Sequence, residues 1–428
     1  MHWEQQVQYA SLTDVGFRRR NNEDQYAVHL SPDRETWVRC GHLFVVADGM
    51  GGHAVGELAS KIAIDTIPHT FFKHRASDAA EGLKAAIEAA NAAIHGRGSQ
   101  NLDFNRMGTT CAALVLTPNG AITGHVGDSR VYRIRSGRID LLTQDHSLQW
   151  ELERRGRLQP EHVILNEARH IITRSLGPED SVEVDLTGPH TIWPGDVFVL
   201  CSDGLTAHVS DEEIGVLARE LSPKEACRLL VHLANLRGGS DNITVIVVRV
   251  GELPAGASID GVQAPVRSRE TAGWKLLAIS WGLAGLFVAG IVLLLMGRLL
   301  SGISLAAVAL VGVLVTLLRS APSEPDTSES LDPKLIPARS ARIKLSRSFL
   351  RQLGVLESEL RKTATEEDWT IDWQTHEAAH SAARAALRRR DYSATLRELA
   401  RSIDALMAGV RAYRKQIVRE ARWGKTGG

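Results

Sequence analysis

The sequence has 428 residues, 50 of them Lys or Arg and 50 Asp or Glu, so its formal net charge is zero. That length exceeds one ordinary domain and points to two or three folding units, while the neutral balance gives no sign of a nucleic-acid-binding surface, which shows as a basic excess. Cys40, Cys111, Cys201 and Cys227 are far apart and form no C-x-x-C pair; they argue against a zinc site or a disulfide framework and for a reducing compartment.

In chain order, the opening MHWEQQVQYASLTDVG lacks the basic start and apolar run of a cleaved signal peptide. From Val7 to Val250, apolar strings such as 43-LFVVAD, 112-AALVLT, 121-AITGHVG, 131-VYRIR, 197-VFVLCSD and 243-ITVIVVRV predict strands. Helices are predicted at Glu57 to Phe72, Ala76 to Ile94 and Lys224 to Asn235. Turn signals at Pro118-Asn119-Gly120 and Ser136-Gly137 join strands as hairpins. Hairpins with helices in separate blocks indicate an α+β fold of antiparallel sheets packed with helices, not a doubly wound parallel sheet.

A linker over 253–274 leads into two uncharged runs, Leu276 to Met296 and Leu299 to Leu318, separated by Gly297-Arg298. Each is long enough to span a bilayer, and together they predict a transmembrane helical hairpin over 275–319. Arg267, Arg269 and Lys275 before it, and Arg319, Lys334, Arg339 and Arg342 after it, place both flanks on the cytosolic side of a bacterial inner membrane. After a second linker, 320–338, residues 339–428 read as a separate helical domain. Its three helices are predicted at Ile343 to Arg361, Trp373 to Arg390 and Ala394 to Arg422, with one weak tetratricopeptide-like hairpin.

The chemistry lies in acidic residues at strand ends. Asp24 falls in 19-RRNNEDQYAV, Asp48-Gly49 close 43-LFVVADG, Asp128 sits in 124-GHVGDSRVY, Asp203-Gly204 follow 197-VFVLC, and Asp241-Asn242 open 240-SDNITV. Singly, each Asp is a turn or cap residue. Several such sheet edges meeting would gather carboxylates and carbonyls into a hard-oxygen site suited to Mg²⁺ or Mn²⁺ and unsuited to Zn²⁺.

These strings, with 108-GTTCAALVL, 143-TQDHSL and 173-TRSLG in order, resemble the bacterial branch of the protein phosphatase 2C family, from about Val7 to Val250 (the phosphatase domain being taken as 1–252). The resemblance implies an α-β-β-α sandwich of two antiparallel sheets. It implies that Asp48 bridges two metal ions with the Gly49 carbonyl on one of them, and that Asp203 and Asp241 complete the second site. Asp128 would help hold a third ion, and Glu23 and Asp24 would act at the first, partly through water. Arg19, flanked by Arg18 and Arg20, would bind phosphate, with Asn242 shaping the loop. Two cations a few ångströms apart can bind a bridging water, lower its pKa and neutralise phosphoryl oxygens, and a guanidinium clamps two such oxygens in plane. Arg19, Asp48 and Asp203 are therefore the expected catalytic set, with Cys201 assigned to core packing. One departure is Met50, where some members carry a histidine proposed as general acid; nearby His53 is read as a loop-structuring residue.

The implied activity is hydrolysis of phosphoserine and phosphothreonine on proteins, opposing a Ser/Thr kinase. The competing function is a membrane-anchored pseudophosphatase scaffold acting through the C-terminal helices. The complete aspartate set weighs against it.

Overall fold

The computed structural model describes residues 7–52, 54–73, 78–100, 104, 107–154, 171–251 and 336–423, with a few isolated positions between 289 and 307. In chain order the strands are β1 (Val7–Asp14), β2 (Asp24–His29), β3 (His42–Met50), β4 (Gly108–Thr109), β5 (Cys111–Thr117), β6 (Gly120–Val126), β7 (Arg130–Arg135), β8 (Arg138–Leu141), β9 (Asp185–His190), β10 (Val197–Cys201), β11 (Ile243–Val250) and β12 (Arg339–Arg342). The helices are α1 (Arg34–Cys40), α2 (Ala54–Lys73), α3 (Ala79–Gly98), α4 (Leu148–Arg154), α5 (Asp203–Thr206), α6 (Asp211–Glu220), α7 (Pro223–Leu236), α8 (Arg347–Glu366), α9 (Trp373–Arg388) and α10 (Tyr392–Trp423).

Two antiparallel sheets form, one in the order β1-β11-β10-β7-β8-β12 and the other β2-β3-β5-β6-β9, with β4 paired to β3. The period of two along each strand sorts side chains between layers. In β3, Phe44 and Val46 join Leu114, Phe198, Leu200, Ile246 and Val248 between the sheets. Leu43, Val45 and Ala47 instead pack with Ala63, Ile67, Leu83 and Ile87 of α2 and α3. Both faces of the central strands are thus covered, which explains why these segments read as continuous apolar runs. The expected α-β-β-α sandwich is observed.

Helices α6 and α7 pack on the outer face of the first sheet. Both start with reciprocal capping boxes, Ser210 with Glu213 and Ser222 with Glu225, and Pro223 occupies the first turn of α7.

Residues 1–258 and 333–428 form one compact unit and 259–332 a second. The C-terminal segment, read from sequence as a domain of its own, joins the first unit at two places. Strand β12 extends the first sheet by pairing with β8. Leu350, Leu353, Leu396, Ile403, Leu406 and Met407 share one apolar cluster with Leu217, Leu230 and Val247. The amphipathic stripe of α10 was legible in the sequence, but its partner on α7 was not.

The polar seam between α7 and α10 centres on Asp404, whose carboxylate accepts from Arg228 Nη1 at 2.8 Å and lies 2.9 Å from His232 Nε2. The bond from His232, together with the Arg228 charge, holds the Asp404 carboxyl below its ordinary 3.8, whereas burial lowers the His232 pKa. A carboxyl depressed on folding contributes stability above its unfolded pKa and loses it as pH falls through the folded value. Asp404→Asn is therefore expected to cost roughly 1 kcal/mol at neutral pH. That deficit should shrink as the pH of a denaturant titration is lowered below about 4.

In the second unit, Leu295 to Arg298 are described and the chain turns at Met296-Gly297. The apolar runs 276–296 and 299–318 otherwise lie almost wholly outside the described residues. Among the described residues no helix is long and apolar enough to cross a membrane. The transmembrane hairpin, and with it the multi-pass inner-membrane location with cytosolic termini, is accordingly withdrawn. Hydropathy of a stretch measures only what it could bury.

Candidate active site

The topology brings the acidic strand ends together. Asp24 and Asp48 are cross-strand partners where β2 begins and β3 ends. On the other sheet, the end of β10 lies beside the starts of β7 and β11 through the pairs Cys201–Arg130 and Cys201–Val245. Asp128, Asp203 and Asp241 flank those three strand ends. One cavity of about 520 Å³ is lined by Glu23, Asp48, Gly49, Asp128, Asp203, Asp241 and Asn242, with Arg19 at its rim. Asp24 does not line it. Its carboxylate lies behind Asp48, 1% exposed, where Oδ2 accepts from Ser202 Oγ at 2.8 Å.

Each site residue is fixed by its backbone neighbours. The Asp48 amide donates to Thr110 Oγ1 at 2.9 Å, and its carbonyl accepts from Thr109 Oγ1 at 2.8 Å and from the Thr110 amide at 2.8 Å. Asn242 is the knot of the site: Oδ1 accepts from the Glu23 amide at 2.8 Å, and Nδ2 donates to the carbonyls of Val15 and Asn21, both at 2.9 Å. Arg19 is half-exposed and pairs with Asp241, Nη2 to Oδ2 at 2.7 Å. The turn before it is held by Phe17 and Arg18 amides on the Gly239 carbonyl, both at 2.9 Å. From α10, Arg414 stacks 4.0 Å over the Phe17 ring and donates to its carbonyl at 2.7 Å. The C-terminal helices thus back the arm that carries Arg19.

Burial, then the neighbouring carboxylates, pushes Asp48 and Asp128 well above the usual carboxylate range. Burial takes Asp24 up to about 7 and also raises Asp241, with Asp203 adding to both. Asp24 Oδ1 and Asp128 Oδ1 are buried without a hydrogen-bond partner among the described residues. Buried carboxylates that repel one another need cations. An all-oxygen set fits Mg²⁺ or Mn²⁺. Among the described residues no three such side chains converge tightly enough to cage an ion by themselves.

Met50 lines the cavity at the place of the family's histidine, and His53 lies outside the described residues. Cys201 is fully buried in β10 and burial drives its thiol pKa upward, so it supplies no thiolate. The segment between β8 and β9 contributes α4 and, at the cavity, Ile172; residues 155–170 lie outside the described set. Sequence reasoning gave no role to Thr109, Thr110 or Ser202. Ser202 stands beside Asp203 in sequence, which was an available signal, whereas Thr109 and Thr110 stand 61 and 62 residues from Asp48 and offered none.

Residues 18–224 match a family model described as protein phosphatase 2C. A protein phosphatase 2C-type protein of Streptococcus pyogenes is 38% identical over 240 residues, 55% of this chain and 94% of that protein. The serine/threonine protein phosphatase PstP of Mycobacterium tuberculosis is 36% identical over 245 residues, 57% of this chain and 45% of that one. Among solved structures, the M. tuberculosis serine/threonine phosphatase PstP/Ppp superposes with a TM-score of 0.51 at 35% identity, covering 57% of this chain and 99% of that one. The S. agalactiae serine/threonine phosphatase gives 0.52 at 37%, again covering 57% and 99%.

Proposed function

This chain belongs to the protein phosphatase 2C family of metal-dependent Ser/Thr phosphatases, and from that premise we propose that it hydrolyses phosphoserine and phosphothreonine in proteins at the cavity between its two sheets. The observation that carries the assignment is the gathering of Asp48, Asp128, Asp203 and Asp241 around one cavity with Arg19 at its rim. Family members use Mg²⁺ or Mn²⁺. In this reading Asp48, the Gly49 carbonyl, Asp203 and Asp241 would hold two cations. Asp128 would add a looser third position and Glu23 would act at the first, partly through water, whereas Asp24, expected beside it, does not line the cavity and is given no direct ligand role. When bound, the cations supply positive charge against the phosphoryl oxygens and lower the pKa of a water nucleophile.

The chain's own residues do the rest. Arg19 moves from Asp241 to the phosphoryl group and clamps two of its oxygens in plane. Asn242 and Thr110 hold the backbone that aims Glu23 and Asp48. With Met50 in place of a histidine, no imidazole is assigned as proton donor to the leaving serine or threonine. The proposed partners are phosphorylated proteins and the Ser/Thr kinase that modifies them.

The test is phosphate release from a phosphothreonine peptide by the full chain with Mn²⁺, with EDTA, and as Asp203→Ala. Release that requires Mn²⁺ and disappears in the variant supports the assignment. Release that survives EDTA overturns it. In the same assay Arg19→Lys, which keeps charge but loses the planar fork, is expected to raise KM about tenfold and leave Mn²⁺ affinity unchanged.

A further inference from the structure

A second cavity of about 500 Å³ shares Asp128 and Asp203 with the metal cavity and runs on past Arg130, Asp145, Trp150 and Asp211. Its far wall is not built by the family scaffold. It consists of Arg339, Ser340 and Ala341 of β12, which lie beyond the family match that ends at residue 224. The strand is held by its ladder to β8, by the Ile343 amide on the Gly137 carbonyl at 2.9 Å, and by Ser340 Oγ on Asp140 at 2.6 Å. None of these bonds uses the Arg339 side chain, which is free to face the cleft.

The two guanidinium groups lining this cleft differ in what they leave available. Arg130 is 17% exposed and forks onto Asp145, Nε and Nη2 at 2.9 and 2.6 Å. Arg339 is 49% exposed and, among the described residues, makes one ion pair, Nη2 to Asp211 Oδ2 at 2.5 Å, while Arg130 Nη1 lies 3.8 Å from the other oxygen of Asp211. Asp211 is held in turn by Tyr132 OH at 2.9 Å. Asp211 is thus shared between Arg339 and Arg130, and among the described residues the rest of the Arg339 fork has no other ion-pair partner and lines the cleft beside the site. Without it, Asp145, Asp211 and the exposed Glu212 would face Arg130 alone among the described residues of a cleft that already holds Asp128 and Asp203.

We propose that β12 is a substrate-selecting wall supplied in cis by the C-terminal segment, and that Arg339 favours phosphoproteins with acidic residues flanking the phosphorylated serine or threonine. This rests on the phosphatase reading above. An exposed guanidinium receives a flanking carboxylate by a charge-assisted bond, and it repels a flanking Lys or Arg.

The experiment uses the full chain with Mn²⁺ and three substrates: a phosphothreonine peptide with Glu flanks, one with Lys flanks, and p-nitrophenyl phosphate, which has no flanking residues. The wild type is expected to prefer the acidic peptide. In Arg339→Gln the acidic-to-basic ratio of kcat/KM should fall roughly tenfold, mainly through KM. Arg339→Lys should recover part of it, and p-nitrophenyl phosphate turnover should not change. A ratio that Arg339→Gln leaves alone, or an equal loss on all three substrates, overturns the selecting role and leaves β12 a sheet edge only. Failure of the wild type to cleave any of the three in a Mn²⁺-dependent way overturns the phosphatase reading itself.

Discussion

Asp48→Asn is expected to abolish Mn²⁺-dependent phosphate release while leaving the fold intact. The substitution is isosteric, and the backbone at this position is anchored by Thr109 and Thr110 rather than by the carboxylate. If Asp48 is the shared ligand proposed above, its loss should lower kcat by about three orders of magnitude, equivalent to about 4 kcal/mol of transition-state stabilisation. Thermal melting gives an independent readout. Mn²⁺ that binds only the folded chain raises the melting temperature by mass action, and this increment should shrink or vanish in the variant. In EDTA the variant should melt no lower than the wild type, because one member of a self-repelling group with Asp24, Asp128 and Asp203 has been neutralised. A variant that retained more than about a tenth of the activity would contradict the role given to Asp48.

Gly204→Ala is the second large effect. An added Cβ at Gly204 would stand 1.9 Å from the Asn242 carbonyl oxygen and 3.4 Å from Asp241 Cβ. At Gly49 it would stand 2.2 Å from the Gly56 carbonyl oxygen and 2.7 Å from that of Glu23. In each Asp-Gly pair the glycine lets the backbone of one site residue pass against the backbone that carries another. A single methyl must push Asn242 and Asp241, or Glu23, out of place. Each alanine variant is expected to lose about 2–3 kcal/mol of stability and to lose activity more severely than stability. Gly96→Ala serves as control. It is an exposed helical position where a Cβ meets nothing within 4 Å. There alanine should stabilise by up to about 1 kcal/mol and leave kinetics alone. Melting curves and Mn²⁺-dependent turnover of the three variants check all of this.

Those glycines also show where sequence reading stops. An Asp-Gly pair reads as a turn, yet neither Gly49 nor Gly204 adopts a positive φ. The constraint is close packing, which no local pattern reveals. The buried strands were legible because both faces of β3 and β11 are covered and their apolar runs are unbroken. Short strands such as β8, β9 and β12 carry no such run, and β12, RSAR, has Ala341 as its one apolar residue. Helix α6 was overlooked despite the Ser210-x-x-Glu213 box that marks its start. The carboxylates were found because each stands at a strand end. That Asp24 would stand behind Asp48 rather than in the cavity depends on Ser202, a contact 178 residues away in sequence. The sharing of one core by 7–251 and 336–423 is likewise a long-range fact. Helix periodicity shows that α10 has an apolar face and does not show what covers it.

The most direct test of the central claim is a crystal of the full chain grown with Mn²⁺ and measured for anomalous scattering at the manganese edge. The account predicts peaks inside the cavity, between Asp48 and the pair Asp203 and Asp241, that disappear from crystals of Asp48→Asn. Peaks elsewhere, or none in the cavity of a chain that still releases phosphate with Mn²⁺, would contradict it.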